Sequence, residues 1–267
     1  MEYKRVKSIL TKSKLPIGGY TANPYEGCTH GCTYCYAEYM ARFQGRSERW
    51  GEYVCAKDWP DVSGRGLAGE RVWVSSVCDP YQPAEAAEGR TRELLEQLER
   101  AGAEVTVCTR SKLVRRDFDL LARMGATLAV SLNTTDERVR ADLDRASTVE
   151  DRLETLYRAD TAGIRTILFC SPALPGITDL RGIALAGSAS SVDEIWVERL
   201  VLNGRYRGPM LYWCRTRHPE AWPLWEMHFV RHESPWPEWV RDEIDRLNAA
   251  GCYPPIVDQG AHGEKPV

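Results

Sequence analysis

From residue 72 onward the chain alternates two hydrophobic patterns. Short runs of branched apolar residues at 72–77, 104–109, 127–132, 165–171 and 194–199 carry little polar alternation, as strands covered on both faces do. Between them, 92–100, 117–124, 149–162 and 180–187 place apolar residues at helical spacing. Leu94, Leu95 and Leu98 share one such face, and Leu153, Leu156 and Tyr157 another. Gly102, Gly125 and Gly163 stand just past three of these stretches, where a left-handed residue ends a helix. Repeated strand–helix order predicts a parallel sheet under helices, either doubly wound or barrel-like. The strand ends decide between them. They close on Ser75-Ser76, Thr109, Ser131 with Asn133, Cys170-Ser171 and Glu198-Arg199, and barrel enzymes carry their chemistry on that rim.

Beyond about residue 200 the pattern breaks. Trp213, Trp222, Trp225, Phe229, Trp236 and Trp239 are interleaved with Pro209, Pro219, Pro223, Pro235 and Pro237. This predicts an irregular, aromatic-rich segment with a helix over 236–247 that caps the barrel. The expected division is a core over 1–200, a cap over 201–258 and a disordered tail over 259–267.

Composition narrows the function classes. A net charge of −3 gives no global basic field for phosphates. There is no long apolar stretch and no apolar run behind the charged start, so neither a membrane span nor a secretory leader is expected. Nine cysteines without disulfide-like spacing place the chain in a reducing cytoplasm, where thiols are metal ligands or small buried hydrophobes.

Three of those thiols form a motif, Cys28-Thr29-His30-Gly31-Cys32-Thr33-Tyr34-Cys35. Thiolates at this spacing can converge on three irons of a [4Fe–4S] cubane, leaving the fourth iron open. An open position marks a catalytic centre rather than a structural one. Two other readings use the same cysteines: a zinc site completed by His30, or a ferredoxin-type carrier completed by Cys55. Tyr34 before the last cysteine and the strand–helix repeat downstream favour the catalytic cluster.

With these features the chain resembles the radical S-adenosylmethionine (SAM) superfamily, and within it the spore photoproduct lyase-like branch. The branch resemblance rests on Asn23-Pro24-Tyr25 before the cysteines and on Asp79-Pro80-Tyr81-Gln82-Pro83. It continues through Glu85, Thr91-Arg92, Thr109-Arg110-Ser111, Arg116-Asp117, Arg152-Leu153 and Pro175-Gly176. It implies a partial (β/α)6 TIM-type barrel with the cluster, held by Cys28, Cys32 and Cys35, in the loop after the first strand. It implies SAM on the open iron, cleaved by one electron to a 5′-deoxyadenosyl radical that abstracts hydrogen from a substrate. A reducing partner such as flavodoxin or ferredoxin follows. By position, Tyr34 lies beside the adenine with Tyr36 among the cofactor contacts. Ser75, Ser76 and Asp79 meet the SAM amino group. Ser111, Lys112, Ser131 and Arg152 serve its carboxylate and ribose, and Tyr81 and Gln82 face the substrate.

The chain departs from the branch in three places. Cys78 stands where a threonine is usual, 142–147 matches poorly, and the motif begins at residue 28, without the N-terminal extension of spore photoproduct lyases. Those lyases return a hydrogen atom from a cysteine, and Cys78, Cys170 and Cys214 are the thiols placed for that role. Cys55, Cys108 and Cys252 read as structural. The acidic charge and missing extension favour a small-molecule or nucleotide-derived substrate; repair of a DNA lesion is the alternative. The C-terminal aromatics either seal the open barrel or, through Trp213, Arg215, Arg217 and His218, stack on a nucleotide.

Overall fold

The computed structural model describes residues 1–13 and 18–261. Eleven strands are described: β1 Glu2–Arg5, β2 Leu10–Lys12, β3 Tyr20–Ala22, β4 Tyr25–Glu26, β5 Cys55–Asp58, β6 Arg71–Val74, β7 Glu104–Thr109, β8 Thr127–Ser131, β9 Arg165–Ala173, β10 Glu194–Arg199 and β11 Ile256–Ala261. Eight of them form one sheet in the order β11-β10-β9-β8-β7-β6-β3-β2, and β1-β5-β4 form a small second sheet. From β3 to β11 every neighbouring pair is parallel; only β2 joins antiparallel.

The alternation along the strands separates two faces. Val72, Val74, Val105, Val107, Leu128, Val130, Leu168, Cys170, Ile195 and Val197 join the core shared with the helices. In helix Arg90–Ala101, Leu94, Leu95 and Leu98 are fully buried against it, each contributing about 2 kcal/mol. The intervening positions Trp73, Cys108, Ala129, Ile167, Phe169 and Trp196 form a separate cluster on the opposite, concave face. There the indoles of Trp73 on β6 and Trp196 on β10 lie 6.3 Å apart, with Phe169 edge-on to both. Three strands separate β6 from β10 in the sheet, so only strong curvature lets their inner side chains meet. The sheet is a partial barrel, not a closed one.

The predicted helices appear as Arg90–Ala101, Phe118–Arg123 behind a 3₁₀ turn Lys112–Asp117, Val149–Thr161 and Leu180–Ala189. Gly102, Gly125 and Gly163 all take positive φ. The C-terminal part differs from the expected division. Helix Arg207–Arg217 and the turns through Arg231 do pack over the strand ends, where Trp225 is fully buried and donates to Pro175 O at 2.7 Å. Helix Trp236–Ala250, however, buries Trp236, Val240, Ile244 and Leu247 in the helix-facing core. It leads into β11, which pairs with β10 and whose last residues, 259–261, were expected to be tail. Asn248 fixes that return, donating to and accepting from the Ile256 backbone at 2.8 and 2.9 Å. Residues 262–267 of the expected tail lie outside the described residues. Among the described residues no helix is long and apolar enough to cross a membrane.

Candidate metal centre and cofactor cleft

The cysteine loop follows the first barrel strand. β3 is followed by Asn23, whose Oδ1 accepts from the backbone N–H groups of Ser76 and Val77, both at 2.9 Å. This joins the entry of the loop to the turn after β6. Gln82 then grips the loop from below. It accepts from Thr29 N at 3.0 Å and donates to Gly27 O at 3.2 Å. From above, Thr33 N donates to Leu143 O and Arg145 N to His30 O, both at 2.9 Å. Arg145 also crosses to Gly51 O at 2.6 Å. Gly31 makes room for it: φ is +59°, and a Cβ there would stand 2.4 Å from Arg145 Nη2. The 142–147 segment that departs from the branch pattern is therefore the upper clamp.

Cys28 is buried, Cys32 and Cys35 half-buried, and all are free thiols. Burial pushes all three thiols up, Cys32 to about 12, so metal binding must displace their protons. His30, the possible zinc ligand, instead turns to Asp79, with Nε2 3.4 Å from Oδ2. Cys55 lies in β5 of the small sheet, its thiol against Ala56 O. Among the described residues no three His, Cys, Asp or Glu side chains converge on one point as a single-ion site requires. A cubane asks something different, since each thiolate binds its own iron.

Several buried polar atoms have no partner: Tyr34 Oη on the loop, Arg110 Nε just past β7, both amide atoms of Asn133 just past β8, and Asp144 Oδ2 in the clamp segment. Leaving such groups dry and unpaired is costly. A polar ligand reaching the cleft would satisfy them. Three free thiols on one clamped loop, next to orphaned polar groups, fit a cluster with a polar cofactor beside it.

The predicted contacts divide. Tyr34 is buried, with the Arg110 guanidinium 5.6 Å over its ring. Tyr36 donates from Oη to Ser76 O. Ser131 Oγ faces Cys108 Sγ at 3.6 Å. Arg152, almost wholly buried, pairs with Asp144 at 2.6 Å and donates to Ser147 O and Ser131 O. It braces the cleft from behind rather than lining a helix surface.

Asp79 accepts from Tyr81 N at 2.9 Å, Thr109 Oγ1 at 2.7 Å and Arg110 N at 2.8 Å. Burial alone would raise its pKa, but the His30 ring, the Thr109 hydroxyl and the Arg110 amide outweigh this and hold it at about 2. Its oxygens are spent on joining β6 to β7. Ser111 caps the turn after β7, accepting from Leu113 N. Lys112 points outward and pairs with Asp151 at 3.0 Å.

Tyr81 and Gln82, expected on the substrate side, are both fully buried and hydrogen-bonded within the chain. The Asp79 turn sends the Tyr81 ring, fully buried, into the helix-facing core, where its hydroxyl donates to Asp117 at 3.0 Å. Asp117 also meets Arg92 and Arg116. Arg116 reaches Glu85, and Glu85 accepts from Tyr25 Oη and Thr91 N. The branch motif is thus one buried polar frame.

The hydrogen-donor thiols also part company. Cys170 faces the helix-packed core and Cys214 sits inside the cap cluster, both fully buried away from the concave face. Cys78 stays at the rim, its Sγ 3.4 Å from Ser75 Oγ. Sequence reasoning took Cys108 as structural and gave Arg110 no role. The signal was there: Val105 and Val107 face the helices, so strand alternation turns Cys108 and Arg110 inward.

In the cap, Trp213 donates to Asp142 at 3.2 Å and packs on His218 and Trp225, while Arg217 also pairs with Asp142. Met210 lies under the loop, accepting from Thr33 Oγ1 at 3.3 Å. These side chains seal the strand ends.

The sequence profile of the Radical SAM superfamily matches residues 22–183, from the end of β3 to helix Leu180–Ala189. The chain belongs to the radical SAM superfamily. That family carries a [4Fe–4S] cluster and binds SAM. An uncharacterized protein of Methanocaldococcus jannaschii is 30% identical over 182 residues, covering 67% of this chain and 70% of that one. An uncharacterized protein of Mycobacterium tuberculosis is 29% identical over 223 residues, covering 75% and 64%. Among solved structures, spore photoproduct lyase with bound AdoMet and dinucleoside spore photoproduct superposes with a TM-score of 0.53 at 14% identity, covering 79% of this chain and 64% of that one. Streptococcus suis SuiB bound to S-adenosylmethionine gives 0.50 at 14% identity, covering 70% and 41%. The chain thus spans under two thirds of the lyase chain's length. At these identities the likeness is one of fold.

Proposed function

We propose that the chain is an enzyme that reductively cleaves SAM and abstracts hydrogen from an organic substrate held in the concave face. Bound at a cluster on Cys28, Cys32 and Cys35, SAM supplies a 5′-deoxyadenosyl radical after one-electron reduction. The observation that carries the reading is the set of buried polar atoms without partners, Tyr34 Oη among them on the loop of three free thiols.

The concave face would hold the substrate. Cys108, Arg110, Ser171 and Glu198 are partly accessible at or near the ends of the inner strands, and the Trp73–Phe169–Trp196 cluster closes the interior beneath. A compact small molecule or nucleotide derivative suits such a chamber. Cys78, half-buried beside Ser75, would be the thiol that exchanges hydrogen with a substrate radical. A soluble one-electron donor of the flavodoxin or ferredoxin kind would reduce the cluster.

The test is anaerobic reconstitution with iron and sulfide, reduction with dithionite, and chromatography for 5′-deoxyadenosine. Wild type should form it and Cys32→Ala should not. An iron-loaded wild type that neither binds nor cleaves SAM defeats the reading. A nucleic-acid substrate, as in the dinucleoside complex of the lyase, predicts salt-sensitive retention of DNA; the absence of binding at low salt leaves the small-molecule class.

A further inference from the structure

Along β7, β9 and β10, exposure alternates with side-chain direction. Val105, Val107, Leu168, Cys170, Ile195 and Val197 are buried against the helices. Their neighbours Thr106, Cys108, Phe169, Ser171, Trp196 and Glu198 turn the other way and are each partly exposed. Solvent therefore reaches the concave face. Its floor is aromatic, with Phe169 edge-on to Trp196 at 6.0 Å between ring centres. Above the floor the Ser171 hydroxyl donates to Glu198 Oε2 at 2.6 Å. Burial, the Cys35 thiol and then Glu198 push the Tyr36 phenol up, which puts this carboxylate near the cysteine loop. The other charges around it are committed elsewhere. Arg110 lies over the Tyr34 ring and donates to Ser171 O at 3.0 Å. Burial opposes its charge, but Tyr34, Cys32 and Asp144 outweigh this and keep it a cation. Glu194, lower on β10, is paired with Arg165. Glu198 thus sets the sign of the space above the aromatic floor.

We propose that the chamber takes a substrate bearing a protonated amine, its ammonium on Glu198 and its carbon skeleton over Phe169 and Trp196. The inference deepens the SAM-cleaving reading above and rests on it. A carboxylate accepts several donors at once, so the Ser171 hydroxyl orients Glu198 while an N–H donor of the substrate joins it. Aromatic faces attract cations, and both rings keep accessible surface here. A phosphate or carboxylate brought to the same place would meet a like charge. The chamber therefore selects an amine over an anionic nucleotide.

The experiment titrates the anaerobically reconstituted, SAM-loaded protein by calorimetry with three probes of closely similar size: phenethylamine, 2-phenylethanol and phenylacetate. Wild type is expected to bind the amine about tenfold more tightly than the alcohol, the worth of one hydrogen bond to a charged group, and the carboxylate least. Glu198→Gln should bind amine and alcohol alike, whereas Glu198→Asp should keep part of the preference. Ser171→Ala, which frees the carboxylate to turn, replaces the glutamine variant should that not fold, and should narrow the preference. Iron content and thermal midpoint verify that each variant holds its loop. A purely structural role for Glu198 would weaken all probes together and leave their ratios unchanged, which overturns the assignment. So does amine binding in wild type that is undetectable or no tighter than that of the alcohol. Failure of iron-loaded wild type to bind and cleave SAM would instead overturn the functional reading.

Discussion

Replacing Asp79 with asparagine tests the joint between β6 and β7. The carboxylate takes three hydrogen bonds at 2.7 to 2.9 Å, from Tyr81 N, Thr109 Oγ1 and Arg110 N. In Asp79→Asn one amide nitrogen must face one of these donors, so a buried N–H or O–H loses its acceptor. Loss of charge assistance and one orphaned donor together cost about 2–4 kcal/mol. The charge of Asp79 points the same way. A carboxyl held at about 2 when folded, below its ordinary value near 4, contributes about 2 kcal/mol. The folded value is depressed, so this stability is complete above the unfolded pKa and is lost as pH falls towards 2. About 1 kcal/mol of it should be gone by pH 3. Urea unfolding of the metal-free protein, followed by tryptophan fluorescence, should show the gap between wild type and Asp79→Asn narrowing by that amount from pH 6 to pH 3. Coincident midpoints at pH 6, or a gap independent of pH, would refute the reasoning.

Two further outcomes test the loop and the faces of the sheet. Gln82→Ala removes both side-chain bonds to residues 27–29; a loss of about 2–3 kcal/mol and a lower iron content after reconstitution are expected, and full iron retention with an unchanged midpoint would contradict the clamp. In alkylation of the folded metal-free protein, exposed Cys252 should react first and the partly accessible Cys78 and Cys108 next, with Cys170 and Cys214 protected until unfolding. Labelling of Cys170 as fast as Cys108 would mean the strand faces are assigned the wrong way round.

The strands and helices of the core were legible because their apolar patterns are local and long. The strand 104–109 and its structural counterpart coincide, since Val105 and Val107 alternate with partly exposed neighbours. β9 was harder to orient: Ile167, Leu168 and Phe169 are apolar on both faces, and nothing local says which side Cys170 joins. β11 was missed because Pro254-Pro255 precede it and Asp258-Gln259 interrupt its apolar character; pairing with β10 overrides that weak propensity. The metal loop was readable from spacing alone. The roles of Asp79, Tyr81 and Gln82 were not, because their partners lie far away in sequence, at Thr109, Asp117 and Gly27.

The buried frame running from Tyr25 through Glu85 and Arg116 to Asp117 and Tyr81 has a consequence for reading relatives. It is masonry: its residues are spent on one another, whatever the chamber contains. Under the proposed function, the walls that would meet a substrate come from other positions, such as Cys108, Phe169, Ser171 and Glu198. Two proteins sharing every letter of the frame can therefore be furnished for different guests. Ancestry is written in the frame, diet in the lining.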